Sequence, residues 1–198
     1  MVKRFLYVML FITLVSFNLF SQSVDIGTFD TTISTGGKVD IYYEIVNKSN
    51  DTLYFIDPTV GNLTNGIEYT EKSGKKLKWI SNLQPLLIFI RNFSDFILLK
   101  PNEKVIFKQT IILEDGPKKI NGKTYTGMFF KLINSNSDTD SDSDDPEYIW
   151  VRDLNEVYIR FKYILSEVDK ESIRRLDLKN IFTKTIESEP IKLVLFTE

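Results

Sequence analysis

The sequence predicts an all-β protein that folds as a β-sandwich or barrel. Apolar and polar residues alternate with period two in several segments, turn-forming residues separate these segments, and helix signals are few. After the predicted N-terminal signal segment, about 175 residues remain, which is enough for one domain with a single sizeable core. We therefore treat the remainder as one β-rich domain.

Four longer segments each carry one apolar face. In "KVDIYYEIVN" the alternation places four apolar residues on one side: Val39, Ile41, Tyr43 and Ile45. The segments "EKVIFKQTIIL", "EVYIRFKYIL" and "IKLVLF" give the corresponding positions Val105, Phe107, Ile111 and Leu113; Val157, Ile159, Phe161, Tyr163 and Leu165; and Ile191, Leu193 and Leu195. Successive side chains of a strand point to opposite faces, so these positions are predicted to face the core.

Shorter strands are predicted at "TLYFID", "GIEYTEK", "KLKWI", "DFILL", "TYTGMFFKLI" and "IFTKTI". Gly74 in "KSGKK" and the pair Asn121-Gly122 can adopt the positive φ that tight hairpin turns need. The best helix candidate is "SEVDKESIRRLDLKN", with Ser166 as a possible N-cap, although a charged loop with one helical turn fits this segment equally well. The apolar run Leu86 to Ile90 fits either a strand buried on both faces or an exposed patch that binds a partner.

The N-terminus predicts export. Lys3 and Arg4 precede an apolar run from Phe5 to Phe20, and "SQS" supplies a small-x-small cleavage pattern. We predict a signal peptide at 1–23 and a single domain at 24–198, located in the periplasm or outside the cell. An uncleaved anchor is the alternative, and it would be the protein's one contact with a membrane. The absence of Cys favours a bacterial source, because exported eukaryotic domains usually contain disulfides.

Composition argues against several functions. The chain has neither His nor Cys, so the commonest general base, ordinary structural zinc sites and Cys-His or Ser-His-Asp systems are excluded. We predict a protein that is not an enzyme and needs no cofactor. Subtracting Lys3 and Arg4 from the 25 basic residues leaves 23 against 27 acidic ones, and this mild acidity argues against nucleic acid as a partner.

The stretch "SNSDTDSDSDDPEY" suggests calcium, with four Asp residues at alternate positions: Asp138, Asp140, Asp142 and Asp144. An EF-hand loop begins with a similar spacing of oxygen ligands. However, in such a loop beginning at Asp138, the sixth position needs Gly but is Ser143. The twelfth position needs a bidentate Glu but is Ile149. The alternative is a solvated acidic loop at 135–147, because Ser/Asp repeats without apolar anchors are normally disordered.

The two tryptophans, Trp79 and Trp150, suggest a ligand site of another kind. Exposed aromatic rings on a sheet can stack on sugars, which would make the chain a carbohydrate-binding module. The alternative is that both rings pack at sheet edges, as large aromatic side chains usually do.

The order of elements resembles that of bacterial exported immunoglobulin-like domains. The resemblance rests on "IYYEIVNKSNDTLYF", "KSGKKLKWI", "ILLKPNEKVIFKQTI" and the closing "SEPIKLVLF". It implies an immunoglobulin-like β-sandwich in which a strand ends at Asn47, and a turn with Leu99, Pro101 and Glu103 precedes a strand carrying Phe107. The same order is also similar to sandwich proteins of the intracellular proteinase inhibitor type, from which the signal segment and the acidic loop depart.

We therefore expect an exported, non-catalytic binding or structural module with a protein or carbohydrate partner. A carbohydrate-binding or calcium-dependent adhesive protein is one alternative, and a protease inhibitor that uses a projecting loop is another. A sandwich scaffold does not decide among these functions.

Overall fold

The computed structural model describes residues 22–28, 30–58, 66–81, 92–133, 147–165 and 167–196. The strands within these ranges are β1 (Gln22–Thr28), β2 (Thr32–Ser34), β3 (Lys38–Asn47), β4 (Leu53–Ile56), β5 (Ile67–Thr70), β6 (Lys78–Ile80), β7 (Phe96–Leu99), β8 (Lys104–Glu114), β9 (Lys118–Ile120), β10 (Lys123–Tyr125), β11 (Met128–Ile133), β12 (Tyr148–Arg152), β13 (Glu156–Tyr163), β14 (Ile186–Glu187) and β15 (Ile191–Phe196). A 3₁₀ turn lies at Phe93–Asp95, and helix α1 spans Glu167–Arg175. The prediction of an all-β protein is confirmed.

The larger sheet has six strands in the order β1-β3-β8-β11-β12-β6. All five neighbouring pairs are antiparallel. Its two longest strands, β3 and β8, pair along nearly their whole length, from Lys38 opposite Ile112 to Val46 opposite Lys104. Strand β1 forms one edge of this sheet beside β3, and β6 forms the other edge beside β12.

The smaller sheet is organised around β13. Tyr158 and Ile159 pair with β5 and also with β15, so these two strands lie on opposite sides of β13. Beyond β15, β2 pairs in parallel, and the short β14 pairs with the end of β13. The pair β4–β7 and the hairpin β9–β10 complete the described strands.

One apolar core is formed by the inner faces of both sheets and by the β4–β7 pair. The predicted faces of β3, β13 and β15 are confirmed: their core positions are buried, apart from Ile191, which is half-buried. In β8 the pattern holds at Phe107, Ile111 and Leu113, but Thr110 on the polar side is also buried. The Thr110 hydroxyl donates a hydrogen bond of 2.6 Å to Asp40 Oδ1. This bond gives the buried hydroxyl a partner and lowers the pKa of Asp40.

The helix prediction is confirmed for Glu167–Arg175, while Ser166 lies outside the described residues. Ile173, Leu176 and Leu178 pack against the core, as the predicted weak apolar face required. Arg174 and Arg175 occupy the last turn, where cations interact favourably with the helix dipole.

Two predicted strands differ from the structure. "TYTGMFFKLI" is divided into β10 and β11 because Thr126 and Gly127 interrupt it, and the pairing of β11 with β12 shifts register at Met128/Phe129. Of "IFTKTI", only the last residue lies in a strand, β14. Ile181 instead makes an isolated bridge to Tyr54.

Three predicted features lie wholly or largely outside the described residues: the signal segment, the apolar run Leu86 to Ile90, and the acidic loop. The predicted cleavage point after Ser23 falls within β1, which begins at Gln22.

Candidate functional site: the aromatic and cationic surface around Trp150

The two tryptophans lie on neighbouring strands but on opposite faces of the six-stranded sheet. Trp79 pairs with Ile149, whereas Trp150 pairs with Lys78. Trp79 packs against the main core. Trp150 lies on the outer face, against a second apolar cluster. The two rings therefore cannot form one row for a sugar, and only Trp150 remains as a candidate for an outward-facing ligand site.

This second cluster forms because the hairpin β9–β10 covers the outer face of the sheet. Ile80, Ile120, Phe129 and Tyr148 are buried in it, with Tyr125 and Trp150 packed against them. The hairpin turns at Asn121 and Gly122, both with positive φ (49° and 73°), as the Asn-Gly pair predicted. The Asn121 amide donates to the Ser81 carbonyl at 2.9 Å, which fixes the turn at the edge of the sheet.

Four residues at the border of this hairpin form what we call the Trp150 cluster: Trp150, Tyr125, Lys78 and Arg152. The Trp150 and Tyr125 rings meet edge to face, with centroids 5.3 Å apart. The Arg152 guanidinium lies 4.5 Å from the Trp150 ring centroid, and Lys78 Nζ lies 4.9 Å from that of Tyr125. Lys78 Nζ also donates to the Tyr125 hydroxyl at 3.3 Å. Each cation is thus held over an aromatic ring.

The backbone at Arg152 has an unusual conformation. Its φ is 66°, in the left-handed region. Gly127, which immediately precedes β11 and its register shift, has φ 99°, and a Cβ there would lie 2.9 Å from the Arg152 carbonyl oxygen. Register shifts of this kind change the direction in which side chains point at the ends of strands. Gly127 therefore allows the two strands to approach closely where Arg152 folds over Trp150.

The cations of the Trp150 cluster belong to an exposed basic surface. Lys78 and Arg152 are exposed, as are Lys119 and Lys123 on the hairpin. Within the part of the chain that the structure describes, none of these four side chains forms an ion pair with a carboxylate. The nearby Lys118 differs, because its ammonium group forms an ion pair with Glu114. Its Nζ also lies 5.3 Å from the Tyr148 ring centroid.

The outer face of the smaller sheet shows the opposite arrangement. There Glu68 contacts both Lys76 and Arg160, and Arg160 also reaches Glu187 at 3.1 Å. Burial alone would raise the pKa of Glu68, but the hydrogen bonds from Lys76 and Arg160 outweigh it and lower the pKa. Since these charges neutralise one another, this face is typical of a solvated surface.

The predicted calcium ligands Asp138, Asp140, Asp142 and Asp144 lie outside the described residues. Among the residues that are described, no group of three or more acidic side chains is arranged to hold a metal ion. Glu147, the last residue of the predicted acidic loop, is half-buried, and burial raises its pKa. Its Oε2 has no hydrogen-bond partner among the described residues.

An exposed apolar surface lies elsewhere, on the β4–β7 pair. Tyr54 pairs with Leu98, and its ring meets that of Phe93 edge to face at 5.9 Å. Leu98 and Phe93 are 46% and 57% exposed. Among the described residues, no charged group lies over a ring at this surface, so the Trp150 cluster has the more specific chemistry.

Sequence reasoning identified Trp150 but missed its three partners. Arg152 could have been found by extending the period-two pattern of "YIWVR", which places Tyr148, Trp150 and Arg152 on one face. Tyr125 and Lys78 could not be found from the sequence, because their approach to Trp150 depends on how the β9–β10 hairpin folds over the sheet and on the register of β6.

Among the described residues, no helix combines the length and apolarity required for a membrane span. Comparisons of the chain with protein-family models, with curated proteins and with solved structures gave no match.

Proposed function

We propose that this protein is an exported, non-catalytic binding module built on an immunoglobulin-like β-sandwich, and that the Trp150 cluster is its binding surface. The observation that carries the proposal is the pairing of two partly exposed aromatic rings with two exposed cations on an outer sheet face. Aromatic and arginine side chains are enriched at binding surfaces because they combine apolar area with directed polar contact.

The sheet topology supports the sandwich part of the proposal. Two sheets of mostly antiparallel strands contribute their inner faces to one core, as in immunoglobulin-like domains. The first two strands enter different sheets, since β1 pairs with β3 and β2 pairs with β15. The last strand lies beside β13, which is the placement that the resemblance of "SEPIKLVLF" implies.

The remaining parts of the proposal come from the sequence. The positive, apolar and small-residue pattern over residues 1–23 supports export. The absence of His and Cys throughout the chain supports binding over the common forms of acid–base and nucleophilic catalysis.

The proposal is tested by expressing the full chain in a bacterial host, fractionating the cells and sequencing the N-terminus of the exported product. We expect export and a mature chain that begins near Val24. The purified product is then applied to an array of neutral and acidic glycans, alongside Trp150→Ala and Tyr125→Ala variants. Signals that the variants lose would support the Trp150 cluster as the binding surface. Retention in the cytoplasm, or array signals that both variants retain in full, would refute the proposal. An array without any signal would refute the tested glycans as ligands.

A further inference from the structure

We infer that the Trp150 cluster recognises an acidic polysaccharide, with the anionic groups of the polymer contacting Lys78 and Arg152. This inference rests on the proposed function and specifies its ligand class. It draws on three observations: the backbone conformation of Arg152, the two exposed cations that form no ion pair with a carboxylate among the described residues, and the two aromatic rings.

The conformation of Arg152 sets this residue apart from the others with positive φ. Among the described residues, five that are not glycine have positive φ, and four of them are Asn or Asp: Asn102, Asn121, Asp177 and Asn180. Asn and Asp tolerate this region better than other residues, because their short polar side chains bond locally. Arg152 is the exception, at a position where Asn or Gly would be less strained. Strained residues cluster at ligand sites, where the strain is retained for function.

The two cations of the cluster are preorganised for an anion. Arg152 and Lys78 each lie over a ring, which limits side-chain motion and leaves part of each cation's hydrogen-bonding capacity exposed. Lys78 faces Trp150 across the β6–β12 pair, so Arg152 is its diagonal neighbour on the same sheet face. Lys119 and Lys123 extend the basic surface along the hairpin. This basic surface occurs on a chain with a net charge of −2, so it is not a result of overall composition.

The aromatic rings favour a sugar polymer as the source of the anionic groups. The Trp150 and Tyr125 rings are half-exposed, so the ring surface that Arg152 and Lys78 do not cover is available to the C–H groups of a sugar, and the two cations over the rings bind carboxylate or sulfate. An acidic peptide supplies carboxylates without such a flat face.

The test compares three dextrans that differ in charge with an acidic polypeptide. The mature exported protein is run in native gels to which dextran, dextran sulfate, carboxymethyl-dextran or poly-L-glutamate is covalently linked. We expect both charged dextrans to retard the protein and neutral dextran to have little effect. Retardation should weaken as salt is raised, since exposed charge contacts are screened.

Matched variants connect this binding to the cluster. Lys78→Gln/Arg152→Gln should weaken binding to dextran sulfate by about tenfold or more, because two charged contacts are lost. The control Lys100→Gln/Arg175→Gln removes the same charges at two exposed sites elsewhere and should change binding by less than about twofold. Circular dichroism and melting curves establish that both double variants remain folded.

Three results would overturn the inference: no retardation by either charged dextran, equal losses in both double variants, or tighter binding to poly-L-glutamate than to the charged dextrans. The last result would identify an acidic peptide as the partner. Array signals confined to neutral glycans and dependent on Trp150 would also refute the inference while leaving the proposed binding function intact.

Discussion

The side-chain amide of Asn47 donates a hydrogen bond of 2.8 Å to the carbonyl of Leu99, which lies 52 residues further along the chain. The same amide donates to the Asp51 carbonyl, and its Oδ1 accepts from both the backbone and the hydroxyl of Ser49. Asn47 is fully buried. It therefore joins the end of β3, the turn that follows it and the end of β7.

Asn47→Ala should lower the free energy of unfolding by about 2–3 kcal/mol, because the buried carbonyls and the Ser49 hydroxyl lose a partner that water cannot easily replace. Asn50→Ala, in the same turn but exposed, should change stability by less than about 0.5 kcal/mol. Urea unfolding followed by fluorescence measures both. Equal effects at the two positions would show that the buried network does not stabilise the fold.

Two buried tyrosines provide a matched pair for hydroxyl removal. The Tyr163 hydroxyl accepts a hydrogen bond of 3.1 Å from the Ile56 amide, whereas the Tyr69 hydroxyl is buried without a hydrogen-bond partner in the described structure. Tyr163→Phe should cost about 1–2 kcal/mol, since it leaves a buried N–H unpaired. Tyr69→Phe should be neutral or stabilising, because it removes a buried polar atom. Thermal unfolding distinguishes them, and a larger loss for Tyr69→Phe would contradict the assignment.

The period-two pattern was sufficient to predict the inner faces of β3, β13 and β15. Each of these strands has one face in the core and one face outside it, so burial repeats every second residue. The three-residue strands β2, β9 and β10 are too short to show a period. The segment after Ile181 was predicted as a strand from its composition, but most of it pairs with no strand in the described structure.

The candidate site was less predictable than the fold. Trp79 and Trp150 look equivalent in sequence, yet the pairing of β6 with β12 sends them to opposite faces of the sheet. Which of them meets solvent depends on register, and register is set by partners distant in sequence. The positive φ of Arg152 depends in the same way on its approach to Gly127 across two strands. Local sequence patterns contain neither relationship.

Glu147 predicts a specific dependence of stability on pH. Burial raises the pKa of its carboxyl above the ordinary value, so the folded state binds a proton more readily than the unfolded state. Stability is therefore lost as the pH rises through the folded pKa and is regained as the pH falls toward the ordinary value. Glu147→Gln should raise the melting temperature at pH 7, and this gain should shrink near about pH 4, where the native carboxyl is protonated.

The control for this prediction is Glu189→Gln, which makes the same chemical change at an exposed position and should leave the melting temperature unchanged at both pH values. A constant gain for Glu147→Gln across the pH range would show that the effect does not arise from the charge of the buried carboxylate.

Arg152 provides a test of whether strain is retained for binding. A non-glycine residue in the left-handed region costs about 1–2 kcal/mol, and an exposed cation–π contact returns only about 0.5–1 kcal/mol. Arg152→Asn should therefore leave the free energy of unfolding unchanged or raise it by up to about 1 kcal/mol. Asn102→Arg, which places the same side chain at another position with positive φ, should be destabilising by a similar amount. If Arg152→Asn instead destabilises the protein by more than about 2 kcal/mol, Arg152 is needed to hold the strands together. A stable Arg152→Asn variant would mean that the fold does not require this arginine, which is the result expected if Arg152 is retained for the proposed contact with a ligand.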